Sequence, residues 1–181
     1  MAAEAPAAAL GWAAPAFALR GTDGRTHTLA ELAGPKGTVV AFICNHCPYV
    51  KAILPRLMRD ARDLRALGVH VIGINANDAS AYPEDSFERM VDLAPTLGFP
   101  YLHDETQQVA RAYGAVCTPD FFGFDAQLEL RYRGRLDASR KETAPEGTPR
   151  ELFDAMKMIA ETGRGPDVQH HGIGCSIKWR E

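Results

Sequence analysis

Long apolar runs are missing from this 181-residue chain. No stretch approaches the roughly 18 apolar residues of a spanning segment, so no membrane helix is expected. Positive charge is not in excess either. The 20 lysines and arginines against 23 acidic residues leave a net charge of −3, with no electrostatic footprint for nucleic acid or an anionic membrane. The Ala-rich start, Met1–Leu10, lacks the basic segment that opens a secretory signal. It is expected to fray, as a flexible leader over residues 1–14, and the default residence is cytoplasmic. Cysteine is scarce. Four in the chain are too few for a disulfide scaffold.

What remains is a globular sequence: 46% hydrophobic and 24% charged residues rule out disorder of the whole chain. The length suits one domain, placed at 15–181 with a tail over 164–181. Residues 15–28 read as a hairpin turning at Asp23-Gly24. Thr38–Ile43 is uncharged and rich in β-branched residues, as in a strand buried on both faces. A long helix follows, with Val50, Ile53, Leu54, Leu57, Met58, Ala61, Leu64 and Leu67 at helical spacing and Pro55 inside it. Its arginines, Arg56, Arg59, Arg62 and Arg65, alternate with Asp60 and Asp63, which describes a solvated face. Val69–Ile74 completes a βαβ unit. Further expected elements are a helix over Ser86–Leu97, a short strand at Tyr101-Leu102 and a helix over Thr106–Tyr113. A hairpin turning at Asp125-Ala126 follows. The last helix is expected to be capped by Thr148, with Pro149 at its first position and Glu151 reaching back. The sum is an α/β sandwich around a central sheet.

The chemistry centres on Cys44-Asn45-His46-Cys47-Pro48, where a buried strand hands over to a helix. Unpaired N–H groups and the partial positive charge of a helix N-terminus favour thiolate over thiol. Cys47, three residues after Cys44, is close enough for a disulfide. His46 can stabilise a thiolate or carry its proton. Pro48 has no N–H to lose in the first turn. Half a zinc site is the other use of such a pair, with Cys44, Cys47 and His46 as ligands, but no second pair completes it. Cys117 reads as a small buried residue or a neighbour of the pair. Cys175 reads as a third redox thiol or a packed side chain. Arg131, Arg133 and Arg135 alternate at strand spacing, as on a solvated edge.

The Cys44–Lys51 segment after an apolar strand resembles the thioredoxin superfamily. Within it the chain is similar to the redoxin group of thioredoxin-family, peroxiredoxin-like proteins. The likeness runs through Asn75–Asp78, Tyr82–Ser86 and Cys117-Thr118-Pro119-Asp120 to Gly174–Trp179, nearly the whole chain. It implies a thioredoxin fold: a central mixed β-sheet flanked by helices, with an N-terminal hairpin extension and a central insertion. It also implies thiol–disulfide oxidoreductase activity without a cofactor, with Cys44 attacking and Cys47 resolving. Cys44, Cys47, His46 and Pro119 would be catalytic, and Thr118, Asn45 and Pro48 would meet the substrate. Pro119 would follow a cis bond, and the Thr118 backbone would pair with the substrate chain. Partners would be a protein disulfide or dithiol and an electron donor, served by a monomer or homodimer.

Two departures bear on mechanism. Thioredoxins carry a buried carboxylate on the strand before the motif and Thr38–Ile43 has none, so the proton acceptor is sought at His46, Asp104 or Glu105. Peroxiredoxins carry a hydroxyl three residues before their cysteine-proline pair. Cys44 takes that place here, which favours dithiol–disulfide exchange over a peroxidase built on Cys47.

Overall fold

The computed structural model describes residues 1–7 and 9–181. In chain order it contains β1 (Ala2–Glu4), β2 (Ala18–Gly21), β3 (Thr26–Thr28), α1 (Leu29–Leu32), β4 (Gly37–Phe42), α2 (Pro48–Ala66) and β5 (Val69–Asn75). Then come α3 (Phe87–Leu97), β6 (Tyr101–His103), α4 (Gln108–Tyr113), β7 (Cys117–Thr118), β8 (Asp120–Phe124), β9 (Leu130–Gly134), α5 (Glu151–Thr162) and β10 (Ile173–Ser176).

The main sheet runs β3-β2-β6-β5-β4-β8-β9. β4, β5 and β6 are parallel and the other pairs antiparallel, so the sheet is mixed as expected. The apolar run of β4 has its reason in two cores. Val39, Ala41 and Ile43 face α2 and α5 with Val50, Ile53, Leu57, Leu64 and Met156. Val40 and Phe42 face the other way, with Ile72, Ile74, Phe122 and Tyr113. α2 continues through Pro55 with its apolar stripe inward. The hairpin β2-β3 extends the sheet beyond β6.

Four expectations change. Ala2–Glu4 do not fray: they pair with β10, which in turn pairs with β7, in a second three-stranded sheet. α5 begins at Glu151 behind Arg150, without the Thr148 cap; the Thr148 hydroxyl donates to the Pro145 carbonyl instead. Arg150 is drawn across to α2, binding Asp60 and Asp63 with its guanidinium over the Phe153 ring. Asp60, read as solvated, is therefore buried. Arg133 is buried too, paired with Asp120 of β8 at 2.9 Å, while Arg131 and Arg135 bind Asp125 and Glu151. The arginines of β9 are thus committed to ion pairs rather than to a free basic edge.

Candidate active site

β4 delivers the chain to the end of the sheet that β5 also reaches, and the Ile43 N–H still bonds the Ile74 carbonyl at 2.9 Å. Cys44 follows at the strand exit, Asn45 and His46 bend away, and α2 starts at Pro48. Cys47 is the residue that caps α2, in extended conformation, with its carbonyl accepting the first helical N–H from Lys51. Across from both lies β7 with the cis Thr118–Pro119 bond. Cys44 Sγ is 3.4 Å from Thr118 Oγ1, and Cys47 Sγ is 3.3 Å from the Thr118 carbonyl oxygen. Cys44, Cys47, Thr118 and Pro119 thus meet as the sequence predicts. All four cysteines are free thiols.

The proton acceptor does not come from the expected carboxylates. Asp104 is turned to α4, accepting the Ala110 N–H at 2.8 Å, and Glu105 is exposed. The acid at the site is Asp85, fully buried on the turn before α3. Its Oδ1 accepts the Asn45 N–H at 2.8 Å and its Oδ2 accepts from Asn77 Nδ2 at 2.7 Å. His46 Nδ1 lies 2.6 Å from the same Oδ2, as an ion-pair contact rather than an aligned hydrogen bond. The His46 ring also stacks on Tyr82, centroids 6.0 Å apart. Asn45 is held by the Tyr101 hydroxyl, which donates to its Oδ1 at 2.8 Å. Asn45 is therefore spent on the scaffold rather than turned to a substrate. The Asn75–Asp78 loop does open on this edge, where Asn75 and Asn77 grip the Asp85 segment.

These neighbours split the two thiols. Cys47 is held well below the usual thiol range: the hydrogen bond from the Cys44 thiol leads, outweighing burial, and the Cys175 thiol and the Val50 and Cys175 N–H groups add to it. Cys44 is pushed up, first by that same hydrogen bond to Cys47, then by burial and the Asp85 carboxylate. The direction favours Cys47 as the thiolate of the pair, whereas the sequence leads one to expect Cys44 to attack. Exposure does not separate them, since Cys44 is 1% and Cys47 0% accessible.

Two further expectations are corrected by geometry. The Thr118 backbone is not free for a substrate chain: β10 already pairs there, Cys175 opposite Thr118 and Ser176 opposite Cys117. A metal on Cys44, Cys47 and His46 is also not what the donors describe. Among the described residues the ligating atoms that converge, within 4.8 Å, are those of Cys44, His46 and Asp85, without Cys47. Cys117 is buried and its thiol is pushed up by burial and then by Asp120, the state of an inert packed residue. Cys175 is half-buried and lies against Cys47. Pro119 lines a cavity of about 120 Å³ with Tyr49, Ile53 and Phe121. Sequence reasoning missed Asp85, although it lies inside the Tyr82–Ser86 motif.

Comparison with known proteins agrees with the fold. A solved structure of an uncharacterized conserved protein from Geobacillus kaustophilus superposes with a TM-score of 0.93 at 47% identity, covering 99% of this chain and 97% of that one. The thiol-disulfide oxidoreductase ResA of Geobacillus thermodenitrificans is 30% identical over 135 residues, 71% of this chain and 70% of its own. ResA of Halalkalibacterium halodurans is 33% identical over 98 residues, so the match spans 54% of this chain and about half, 52%, of that relative. The cytoplasmic expectation is overturned here. The same fold occurs in a protein named as an exposed lipoprotein, the pneumococcal thioredoxin Etrx1 (20% identity over 81% of this chain and 98% of that one, TM-score 0.57), so a cytoplasmic residence does not follow from it. No helix among the described residues is long and apolar enough to cross a membrane, which by itself fixes no location. A match to the AhpC/TSA family covers residues 10–133, from the strands of the hairpin extension through the cysteine pair to β9, and the chain belongs to that family.

Proposed function

We propose that this chain is a thiol–disulfide oxidoreductase in which Cys47 is the attacking thiolate and Cys44 the resolving thiol. One observation carries the reading: both sulfurs converge on Thr118 beside cis Pro119, at 3.4 and 3.3 Å, with opposite pressures on their protons. The names of the ResA relatives support the same class of reaction.

The Cys47 thiolate attacks one sulfur of a disulfide, a mixed disulfide forms, and the other sulfur leaves as a thiolate. Cys44 then loses its proton to the Asp85–His46 pair, whose ligating atoms lie within 4.8 Å of its sulfur, and attacks Cys47 Sγ. The Cys44–Cys47 bond forms and the second substrate sulfur is released. Two electrons pass from the cysteine pair to the substrate, and a separate dithiol donor restores the pair. The cavity beside Pro119, lined by Tyr49 and Phe121 and by the polar Arg135, Asp137 and His170, receives the partner beside the site.

The test is catalytic reduction of insulin by dithiothreitol, with peptide mapping of the oxidised protein. The expected result is a Cys44–Cys47 disulfide in the wild type and loss of turnover in Cys47→Ser. A wild type that consumes hydrogen peroxide through Cys47 without reducing insulin overturns the reading in favour of a peroxidase.

A further inference from the structure

The cysteine pair is sealed, yet it must exchange electrons with something outside. Access to Cys44 and Cys47 is essentially nil, and Thr118, on which both sulfurs rest, is 2% exposed. What closes the site is β10, lying antiparallel on β7 in the position a substrate strand was expected to take. Gly174 is part of the fit, because a Cβ there would lie 2.0 Å from the Thr118 carbonyl oxygen. The next residue, Cys175, pairs opposite Thr118, on which both sulfurs rest, and packs against the cluster that holds Cys44 and Cys47; of the four cysteines it alone is not buried.

This strand is held along its edges and just past its C-terminal end rather than laid on loosely. The Ile177 N–H bonds the Val116 carbonyl at 3.0 Å, and the Lys178 N–H bonds Asn77 Oδ1 at 2.9 Å. Gln107 Nε2 holds the Lys178 carbonyl at 2.8 Å. On its other edge β1 pairs along Ile173–Cys175. Such an anchored strand holds Cys175 in one place, which is what repeated intramolecular exchange requires.

We infer that Cys175 is a third redox-active thiol, the one that meets partner proteins, and that it passes the disulfide inward to Cys47 and Cys44. The inference rests on the oxidoreductase reading above and changes its first step, with Cys175 rather than Cys47 meeting the partner disulfide. The steps balance as follows. Cys175, deprotonated, attacks a partner disulfide, forming a Cys175–partner bond and expelling one partner thiolate. The Cys47 thiolate attacks Cys175 Sγ, forming the Cys47–Cys175 bond and releasing the second partner thiolate. Cys44 gives its proton to the Asp85–His46 pair and attacks Cys47 Sγ, and Cys175 leaves and takes a proton back. The partner gains two electrons, the Cys44/Cys47 pair loses two, and Cys175 returns unchanged. Run in reverse, the same steps oxidise a partner dithiol, with Cys47, the better leaving group, expelled when the partner attacks Cys175.

The test uses the full chain and two variants. Cys44→Ser, equilibrated in a glutathione redox buffer and mapped by mass spectrometry, is expected to carry a Cys47–Cys175 disulfide. Cys175→Ser is expected to form the Cys44–Cys47 disulfide in that buffer, as the wild type does, while its insulin reduction falls roughly tenfold or more. Insulin reduction by Cys175→Ser within about twofold of wild type overturns the relay. So does a Cys44→Ser protein in which Cys47 and Cys175 stay separately alkylatable. A wild type that forms no Cys44–Cys47 disulfide contradicts the oxidoreductase reading itself, so the two failures are told apart.

Discussion

On one side of Thr118, Cys44 leaves a strand and looks toward a buried acid, a histidine and the amides that hold them. On the other side, Cys47 caps a helix and is met by two thiols and two backbone N–H groups. The same side chain, three residues apart and equally buried, is thereby driven in opposite directions. Surroundings that donate hydrogen bonds make a thiolate; surroundings that carry negative charge keep a thiol. The lesson is that a Cys-x-x-Cys spacing does not name its own nucleophile. The surroundings of each sulfur decide it, and for Cys47 the neighbouring Cys44 thiol comes first, ahead of the Cys175 thiol and the N–H groups of Val50 and Cys175.

Removing the acid should disturb this contrast most. Asp85→Asn keeps the shape and one acceptor for the Asn45 N–H but takes away the charge facing Cys44. The Cys44 thiol should then titrate lower, by about one pH unit or more. Its attack on Cys47 should nevertheless slow by roughly 10²-fold, because its proton has lost its acceptor. Stopped-flow measurement of disulfide closure after a single reaction with a small disulfide reads both effects, and unchanged closure would move Asp85 out of the mechanism.

His46→Gln should do less. The ring is part-exposed and stacked on Tyr82, and Asp85 remains beside Cys44 in the variant. Closure should slow by about tenfold or less, because Asp85 still faces Cys44 to accept its proton. A closure rate identical to wild type would leave His46 a purely structural side chain.

Cys117→Ala should do least to function. That thiol is buried and raised, and its sulfur is directed at the Pro119 carbonyl 3.6 Å away. Exchange activity should stay within about twofold of wild type, with stability lower by about 1 kcal/mol for the small void, read by urea unfolding. A large loss of activity with the fold intact would mean that the redox cluster extends to a fourth cysteine.

The sequence carried the frame of this contrast but not its polarity. β4, α2 and β5 were legible because each repeats a single burial pattern over many residues. The cysteine-proline and threonine-proline pairs were legible because few other arrangements use them. Asp85 was not, since forty residues and a whole βαβ crossover separate it from Asn45, and nothing local marks a turn aspartate as buried. β1 and β10 were missed for another reason. They are three and four residues long, one Ala-rich and one centred on Gly174, and neither shows alternation. Only the tertiary fold, by laying β10 on β7, brings Cys175 to Cys47.

The central claim is that Cys47 holds the thiolate, and the ultraviolet absorbance of thiolate followed against pH tests it most directly. Wild type, Cys44→Ser and Cys47→Ser are titrated in the reduced state; serine at position 44 keeps an O–H to donate to Cys47. The account predicts an absorbance step well below neutral pH in the wild type, kept in Cys44→Ser and absent from Cys47→Ser. A step that survives in Cys47→Ser and vanishes in Cys44→Ser would contradict it and return the thiolate to Cys44.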